Sequence, residues 1–265
     1  MQRKRYYLAD RPVDPHTSQE LATMFDQLVA ANQMRVLANL NLHGLYCSFK
    51  STAMKQLLLD RHTIVHIDGT PIRWLCNLFG ARLSPDYRTA HIDLIPKLMK
   101  NCARNDLRVF LVGSSEAGAS KNAVAFRRLV PGLNITCRHG FFDPANNSEG
   151  TVAAQLVDEI NATKTNLLLV GLGMPAQEEW IMAIKDRVKV NMIMPVGGFA
   201  DYYAGRTRIP PRILGRLGLE WLFRLIEQPR RLAFRYLVEP FLLLSLLLQN
   251  AFNGGKWGPE RNLKS

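Results

Sequence analysis

Asp68-Gly69 closes the apolar run Thr63–Ile67. A carboxylate at the C-terminal edge of a strand, on a glycine turn, faces a cleft and can take a proton from an attacking hydroxyl. The same aspartate can instead cap a helix opening near Pro71. Asn39 and Asn41 alternate along another apolar run, so both point to one face. With His43 they form a polar row that suits sugar hydroxyls or simply finishes a strand. Gly171-Leu172-Gly173-Met174-Pro175-Ala176-Gln177 follows a third run and opens a helix. Gly171 and Gly173 let the backbone approach a ligand, the amides of a helix start favour anions, and Gln177 stands in the first turn able to hold a polar group. Gly113–Gly118 is a second loop of this kind, without the lysine–serine pair of a P-loop. Gly197–Gly205 is a glycine-flanked turn with an acid at Asp201, which either lines the same cleft or serves packing.

His62 and His66 are four apart, but on a strand-like run, and no acid nearby completes a ligand set. No Asp-x-Asp pair occurs anywhere in the chain. Neither a metal nor a cofactor is expected. If a diphosphate leaves in the reaction, arginines must neutralise it in place of a divalent cation.

The elements that position these residues alternate. Five runs read as strands: Arg35–Leu42, Thr63–Ile67, Arg108–Val112, Asn166–Val170 and Val190–Val196. Between them Ser18–Ala31 has Leu21, Met24, Phe25 and Leu28 at helical spacing, and Gly150–Asn161 and Glu178–Arg187 read similarly. Strands alternating with helices predict an α/β fold, a Rossmann-like parallel sheet with helices on both faces. Ligands of such sheets sit beyond the carboxyl ends of the strands, where Asp68, Gly113, Gly171 and Gly197 all fall.

After Gly205 the character changes. Arg208-Ile209-Pro210-Pro211 breaks regular structure, one helix is expected over Leu214–Ile226, Pro229 ends it, and Arg230–Val238 starts another with Arg231 and Arg235 on one face. Phe241–Leu248 is apolar all round but too short to span a bilayer. Residues 1–205 thus read as a catalytic sheet domain and 206–265 as a basic helical appendage.

The 265-residue chain carries a net charge of +12, which calls for an anionic partner. Between Arg206 and Leu248 stand eight arginines, three glutamates and no lysine, and arginine pairs with phosphate in a bidentate fork. No helix-turn-helix, RNP or zinc motif is visible, so nucleic acid is not the expected partner. Arginine mixed with Trp221, Phe223, Phe234, Tyr236 and leucines suits an anionic membrane surface; the alternatives are a solvated face or helices packed on the sheet. Four scattered cysteines read as reduced thiols. The basic N-terminus lacks a following apolar run, so no secretory signal is expected, and no window of about 20 residues is free of charge, so no transmembrane helix is expected.

In this order the motifs resemble the WecG/TagA/CpsF glycosyltransferase family from about Val36 to Leu248: Asp68-Gly69-Thr70-Pro71-Ile72, Val170 through Ile181, Gly197 through Gly205, and Gly218 through Leu232 followed by Arg235-Tyr236-Leu237. The resemblance implies an inverting, metal-independent transfer of a hexose or N-acetylhexosamine-type sugar from a UDP-sugar to a polyprenyl-diphosphate-linked saccharide. It implies bacterial cell-surface or exopolysaccharide synthesis, peripheral to the cytoplasmic face of the inner membrane. It implies Asp68 as base, Gln177 and Asn41 as active-site residues, Arg88 as the start of an Arg-x-x-Gly motif, and appendage arginines on the nucleotide diphosphate, for which Arg212, Arg216, Arg224 and Arg230 are the candidates. The chain departs from the pattern at four places: Asn39 stands where threonine is usual, His91 replaces the glycine of Arg-x-x-Gly, Ala176 replaces a lysine, and the glycine turn reads Gly197-Gly198-Phe199-Ala200-Asp201. Asn39 and His91 leave the donor sugar open.

Two other functions share parts of this pattern. A dinucleotide-dependent oxidoreductase requires Gly-x-Gly-x-x-Gly after the first strand, and Asn39-Leu40-Asn41-Leu42-His43-Gly44 does not supply it. A non-catalytic membrane-bound nucleotide-sugar binder keeps the appendage but has no need of Asp68.

Overall fold

The computed structural model describes residues 5–260, without the side chains of Arg212, Arg216 and Leu217. Two of the candidate arginines, Arg212 and Arg216, therefore lie outside the described residues.

The chain opens with a short hairpin, β1 (Tyr6–Leu8) and β2 (Arg11–Val13), and then alternates. Helix α1 (Ser18–Ala30) leads to β3 (Arg35–Leu40), α2 (Leu42–Lys50) and α3 (Thr52–Leu59) to β4 (Thr63–Ile67), and α4 (Thr70–Leu78) and α5 (His91–Arg104) to β5 (Arg108–Gly113). Next come α6 (Glu116–Leu129), β6 (Asn134–Arg138), α7 (Val152–Ala162), β7 (Leu167–Gly171), α8 (Ala176–Ile184), β8 (Met192–Pro195) and α9 (Phe199–Tyr203). The last part holds α10 (Arg212–Leu217), α11 (Glu220–Glu227), α12 (Pro229–Ala233), a π-helical turn at Phe234–Val238, α13 (Glu239–Phe252) and β9 (Gly258–Pro259). The start of α1 is fixed by a capping box, in which Thr17 accepts from the Glu20 backbone and the Glu20 carboxylate accepts from the Thr17 backbone.

Six strands form one parallel sheet in the order β4-β3-β8-β7-β5-β6. Alternate side chains enter two separate cores, as a sheet buried on both faces requires. Val36, Ala38 and Leu40 pack with Leu57, Ile72 and Trp180 on one face, and Leu37, Leu111 and Met194 pack with Phe25, Leu98 and Phe126 on the other. The α/β fold with helices on both faces is as the alternation predicts. The chain leaves β4 at one edge and re-enters at β5 on the far side of β8, so the crevice at the carboxyl ends of β3, β4 and β8 is the topological switch point.

Strand ends β5, β7 and β8 approach so closely that only glycine fits. A Cβ on Gly113 would lie 2.7 Å from the Gly171 carbonyl oxygen, and one on Gly171 would lie 2.7 Å from that of Gly197.

The structure departs from the sequence reading in four places. The sheet has a sixth strand, β6, an edge strand whose polar Asn134, Thr136 and Arg138 interrupt any apolar run. A second sheet, β2-β1-β9, joins the two ends of the chain in antiparallel pairs too short to give a pattern. The single helix expected over Leu214–Ile226 is two, α10 and α11, broken at Gly218, whose φ of 74° is left-handed. Finally, the apolar stretch Phe241–Leu248 is not an isolated octamer. It belongs to a continuous helical run, Pro229–Phe252, of 24 residues and mean hydropathy 1.5, long and apolar enough by composition to cross a membrane. Only 17% of its apolar window is buried.

One buried contact anchors α13 to the sheet domain: Leu243, 3% exposed, enters the core that also holds Leu40, Leu45 and Ile72. Leu243→Ala is expected to lower unfolding free energy by about 2–5 kcal/mol in urea titrations; a change under about 0.5 kcal/mol would show that α13 is not part of the cooperative unit.

Candidate active site

Asp68 leaves β4 directly into Gly69, and α4 begins with no side-chain cap. The carboxylate is therefore not used as a helix cap. It turns towards β3, where Asn39 Nδ2 donates to Asp68 Oδ2 at 3.1 Å and Asn41 Nδ2 donates to the same oxygen at 3.2 Å. Parallel pairing of β3 with β4 sets this up, with Asn39 opposite His66 and Leu40 opposite Ile67. Asn41 continues in extended conformation past the strand end and caps α2, its Oδ1 accepting from the Gly44 N–H at 2.9 Å.

Burial acts to raise the Asp68 pKa, but His91, His66, the Asn41 amide and the Arg88 guanidinium act the other way and hold it below the ordinary carboxylate value. Burial in turn pushes His66 down to about 3 and lowers His91. At neutral pH both imidazoles are neutral, so their charges oppose Asp68 protonation only in acid, and the Asn39 and Asn41 amides with Arg88 hold the carboxylate ionised.

Two chambers meet at this carboxylate. The smaller, about 300 Å³, has an apolar wall of Pro71, Trp74, Trp221 and Leu243 with Arg88 inside. The larger, about 570 Å³, is lined by Asn39, His91, Gly173, Gln177, Gly197 and Tyr202. Asn41, His43, Asp68, Glu220, Arg224, Arg235 and Glu239 line both.

The last 50 or so described residues close the site through an ion pair and a histidine–carboxylate hydrogen bond. Arg88 Nη2 donates to Glu220 Oε2 at 2.5 Å, and His43 Nδ1 to Glu239 Oε2 at 2.8 Å. Arg224 lies over the Tyr202 ring, 5.6 Å from its centroid. Burial lowers the Arg235 pKa from its ordinary value, and its Nε has no hydrogen-bond partner among the described residues. A desolvated, under-partnered guanidinium is a receptor for an anion.

The remaining sequence candidates fall as follows. Gln177, 1% exposed, accepts the Gly197 N–H at Oε1 (2.9 Å) and donates to Glu178 Oε1 at 2.8 Å, so it braces the glycine turn at the floor of the larger chamber. Gly173, with φ 83°, lines that chamber, while Gly171 is a strand-packing glycine. Asp201 faces Arg206 at 3.2 Å and takes two backbone N–H groups on its carbonyl, outside both chambers. Arg230 is exposed and also outside them, whereas Arg231 lines the larger one. Sequence reasoning missed Glu220, Arg235 and Glu239. Glu239 had a signal, a lone acid heading an apolar helix, and Arg235 shares a helix face with Arg231. Among the described residues no group of three His, Cys, Asp or Glu could hold a metal ion.

A family model described as "Glycosyl transferase WecG/TagA/CpsF family" matches residues 6–256. The chain belongs to this family. The WecG/TagA/CpsF match takes in both cleft-forming parts, the sheet and the helices after Gly205. Among curated relatives, the N-acetylglucosaminyldiphosphoundecaprenol N-acetyl-beta-D-mannosaminyltransferase of Staphylococcus aureus strain MW2 is 26% identical over 175 residues, covering 66% of this chain and 65% of the relative. The protein of the same name from strain NCTC 8325 / PS 47 aligns with the same identity and coverage. The chain thus matches 65% of the length of these relatives.

Glu178, under the glycine turn, gives a test of the site's packing. Burial pushes its pKa up to about 8, and its Oε2 has no hydrogen-bond partner among the described residues. A carboxyl whose folded pKa is raised stabilises the fold below its unfolded value near 4.5, and that contribution is lost as pH rises through 8. Thermal melts of the wild type are expected to fall across this window and those of Glu178→Gln to stay flatter; parallel curves for the two proteins would count against the buried, protonated Glu178.

Proposed function

We propose that this protein is an inverting glycosyltransferase that moves a sugar from a UDP-sugar to a polyprenyl-diphosphate-linked saccharide at an anionic membrane surface. The observation that carries the reading is Asp68: an ionised carboxylate, held on one oxygen by two amides, at the meeting point of a polar chamber and an apolar-walled one. Family membership and the relatives, named for transfer to a diphosphoundecaprenol-linked sugar, support the acceptor class.

In this reading the donor occupies the larger chamber and the acceptor reaches in through the smaller one. Asp68 takes the proton of the acceptor hydroxyl as its oxygen forms a bond to the anomeric carbon. The bond from that carbon to the UDP oxygen breaks on the opposite face, which inverts the centre. Arg224, Arg231 and Arg235 meet the charge that develops on the leaving diphosphate. Arg88 stands by the acceptor side, tied to Glu220.

The membrane part of the reading rests on the outer face of the last helix. Phe234, Leu237, Phe241, Leu244, Leu248 and Phe252 are exposed there, Phe241 at 74% and Phe252 at 88%. Trp74 and Trp221, also exposed, stand at the smaller chamber. An apolar rim around arginines matches an amphiphile with a diphosphate head.

Asp68→Asn is expected to bind UDP in calorimetry while acceptor-dependent UDP release drops about 10²–10⁴-fold; near-normal turnover removes Asp68 from the role of base. The double variant Phe241→Glu/Phe252→Glu changes only exposed positions and is expected to lose flotation with anionic liposomes while its melting curve stays near wild type. Flotation equal to wild type would sink the membrane assignment.

A further inference from the structure

Two unpartnered hydrogen-bond acceptors stand on the floor of the larger chamber, beside Asp68. Asn39 is 3% exposed. Its Nδ2 is committed to the Asp68 carboxylate, which forces Oδ1 to the other side, and Oδ1 has no partner among the described residues. The His91 ring bonds the Val196 backbone, and its buried Nε2 likewise has no partner. Because burial keeps that ring neutral and the Val196 carbonyl accepts a hydrogen bond from the other nitrogen, Nε2 carries a lone pair. Behind it, outside the chamber lining, His66, its ring centroid 5.4 Å from that of His91, directs Nδ1 to Thr89 and holds a second nitrogen, Nε2, without a partner among the described residues. Buried acceptors without donors are costly until a ligand or water supplies protons.

Hydroxyl groups supply protons. An acetamido group brings one N–H and a carbonyl oxygen, and the carbonyl would be set among lone pairs of its own sign. It is also bulkier, and the imidazole of His91 already fills this part of the floor. We propose that Asn39 and His91 make the donor chamber selective for a UDP-hexose with a free hydroxyl at the position facing them, and against UDP-N-acetylhexosamines. The inference rests on the transfer reading above and deepens it. It sets this chain apart from the relatives named for N-acetylmannosamine transfer.

The test is binding and turnover with UDP, UDP-glucose, UDP-galactose, UDP-N-acetylglucosamine and UDP-N-acetylmannosamine on the full-length protein. The wild type is expected to favour an unsubstituted hexose donor in kcat/KM by about 100-fold or more, since a site built for a hydroxyl rejects its replacement strongly. His91→Gly, which opens the floor, and Asn39→Thr, which replaces the amide oxygen by a hydroxyl that also donates, are each expected to shrink that ratio at least about tenfold, with the affinity for UDP itself unchanged. Binding titrations carry the same comparison where a variant is too unstable to turn over, and the wild-type ratio needs no variant at all. Equal or reversed preference in the wild type overturns the proposal and leaves the transfer reading standing. Variants that lose all donors in proportion also overturn it, because they would make the two residues mere supports of Asp68. Failure of the wild type to bind UDP and every UDP-sugar overturns the transfer reading, and this inference with it.

Discussion

The whole site hangs on one half-buried carboxylate that must stay charged. An isolated carboxylate taken out of water protonates or escapes to solvent. Asp68 does neither, because two asparagine amides converge on one of its oxygens and Arg88 adds positive potential. Those amides come from a neighbouring strand and the cap just beyond it. Their convergence demands the β3–β4 register, and a one-residue slip would turn Asn39 to the opposite face. The parallel sheet, its two cores and the order of its strands all serve to hold that register.

The helices after Gly205 answer to the same charge. Two of their three glutamates, Glu220 and Glu239, are spent on Arg88 and His43, and Glu227 faces Arg208. That leaves Arg224 and Arg235 facing the cleft without a carboxylate partner of their own in the described contacts. Partly buried polar contacts of this kind contribute little net stability, but they fix orientation. Here they sort cations into those that clamp the wall and those that face the open cleft.

Much of this was legible in the residues. Apolar runs ending at Asp68, Gly113, Gly171 and Gly197 gave away a parallel sheet, because strands buried on both faces need continuous apolar sequence and their ends need turns. The alternation of Asn39 and Asn41 showed that both face one way. What stayed hidden was what depends on distance in space. Whether Asp68 caps a helix or meets two amides is decided by a partner strand, and nothing local records that Asp201 turns to Arg206. The edge strand β6 was invisible because one exposed side relieves it of the apolar pattern. Glycine carried two meanings that sequence does not separate: Gly173 bends the chain beside the cleft, while Gly171 is small because Gly197 presses on it.

The small sheet at the ends of the chain has a consequence for how the molecule comes together. Tyr6 pairs with Pro259, and the Glu260 N–H reaches the Arg5 carbonyl at 2.7 Å, so the described chain is nearly a closed ring. Contacts of such separation repay their loop entropy only once most of the chain is already ordered. The arginine-bearing wall is held within that ring, between the sheet and the final strand. A fragment that stops before α11 therefore keeps Asp68 and its amides but lacks the cations opposite them. In the proposed function, nucleotide affinity would be a property of the finished ring and would appear late in refolding, after the sheet has already formed.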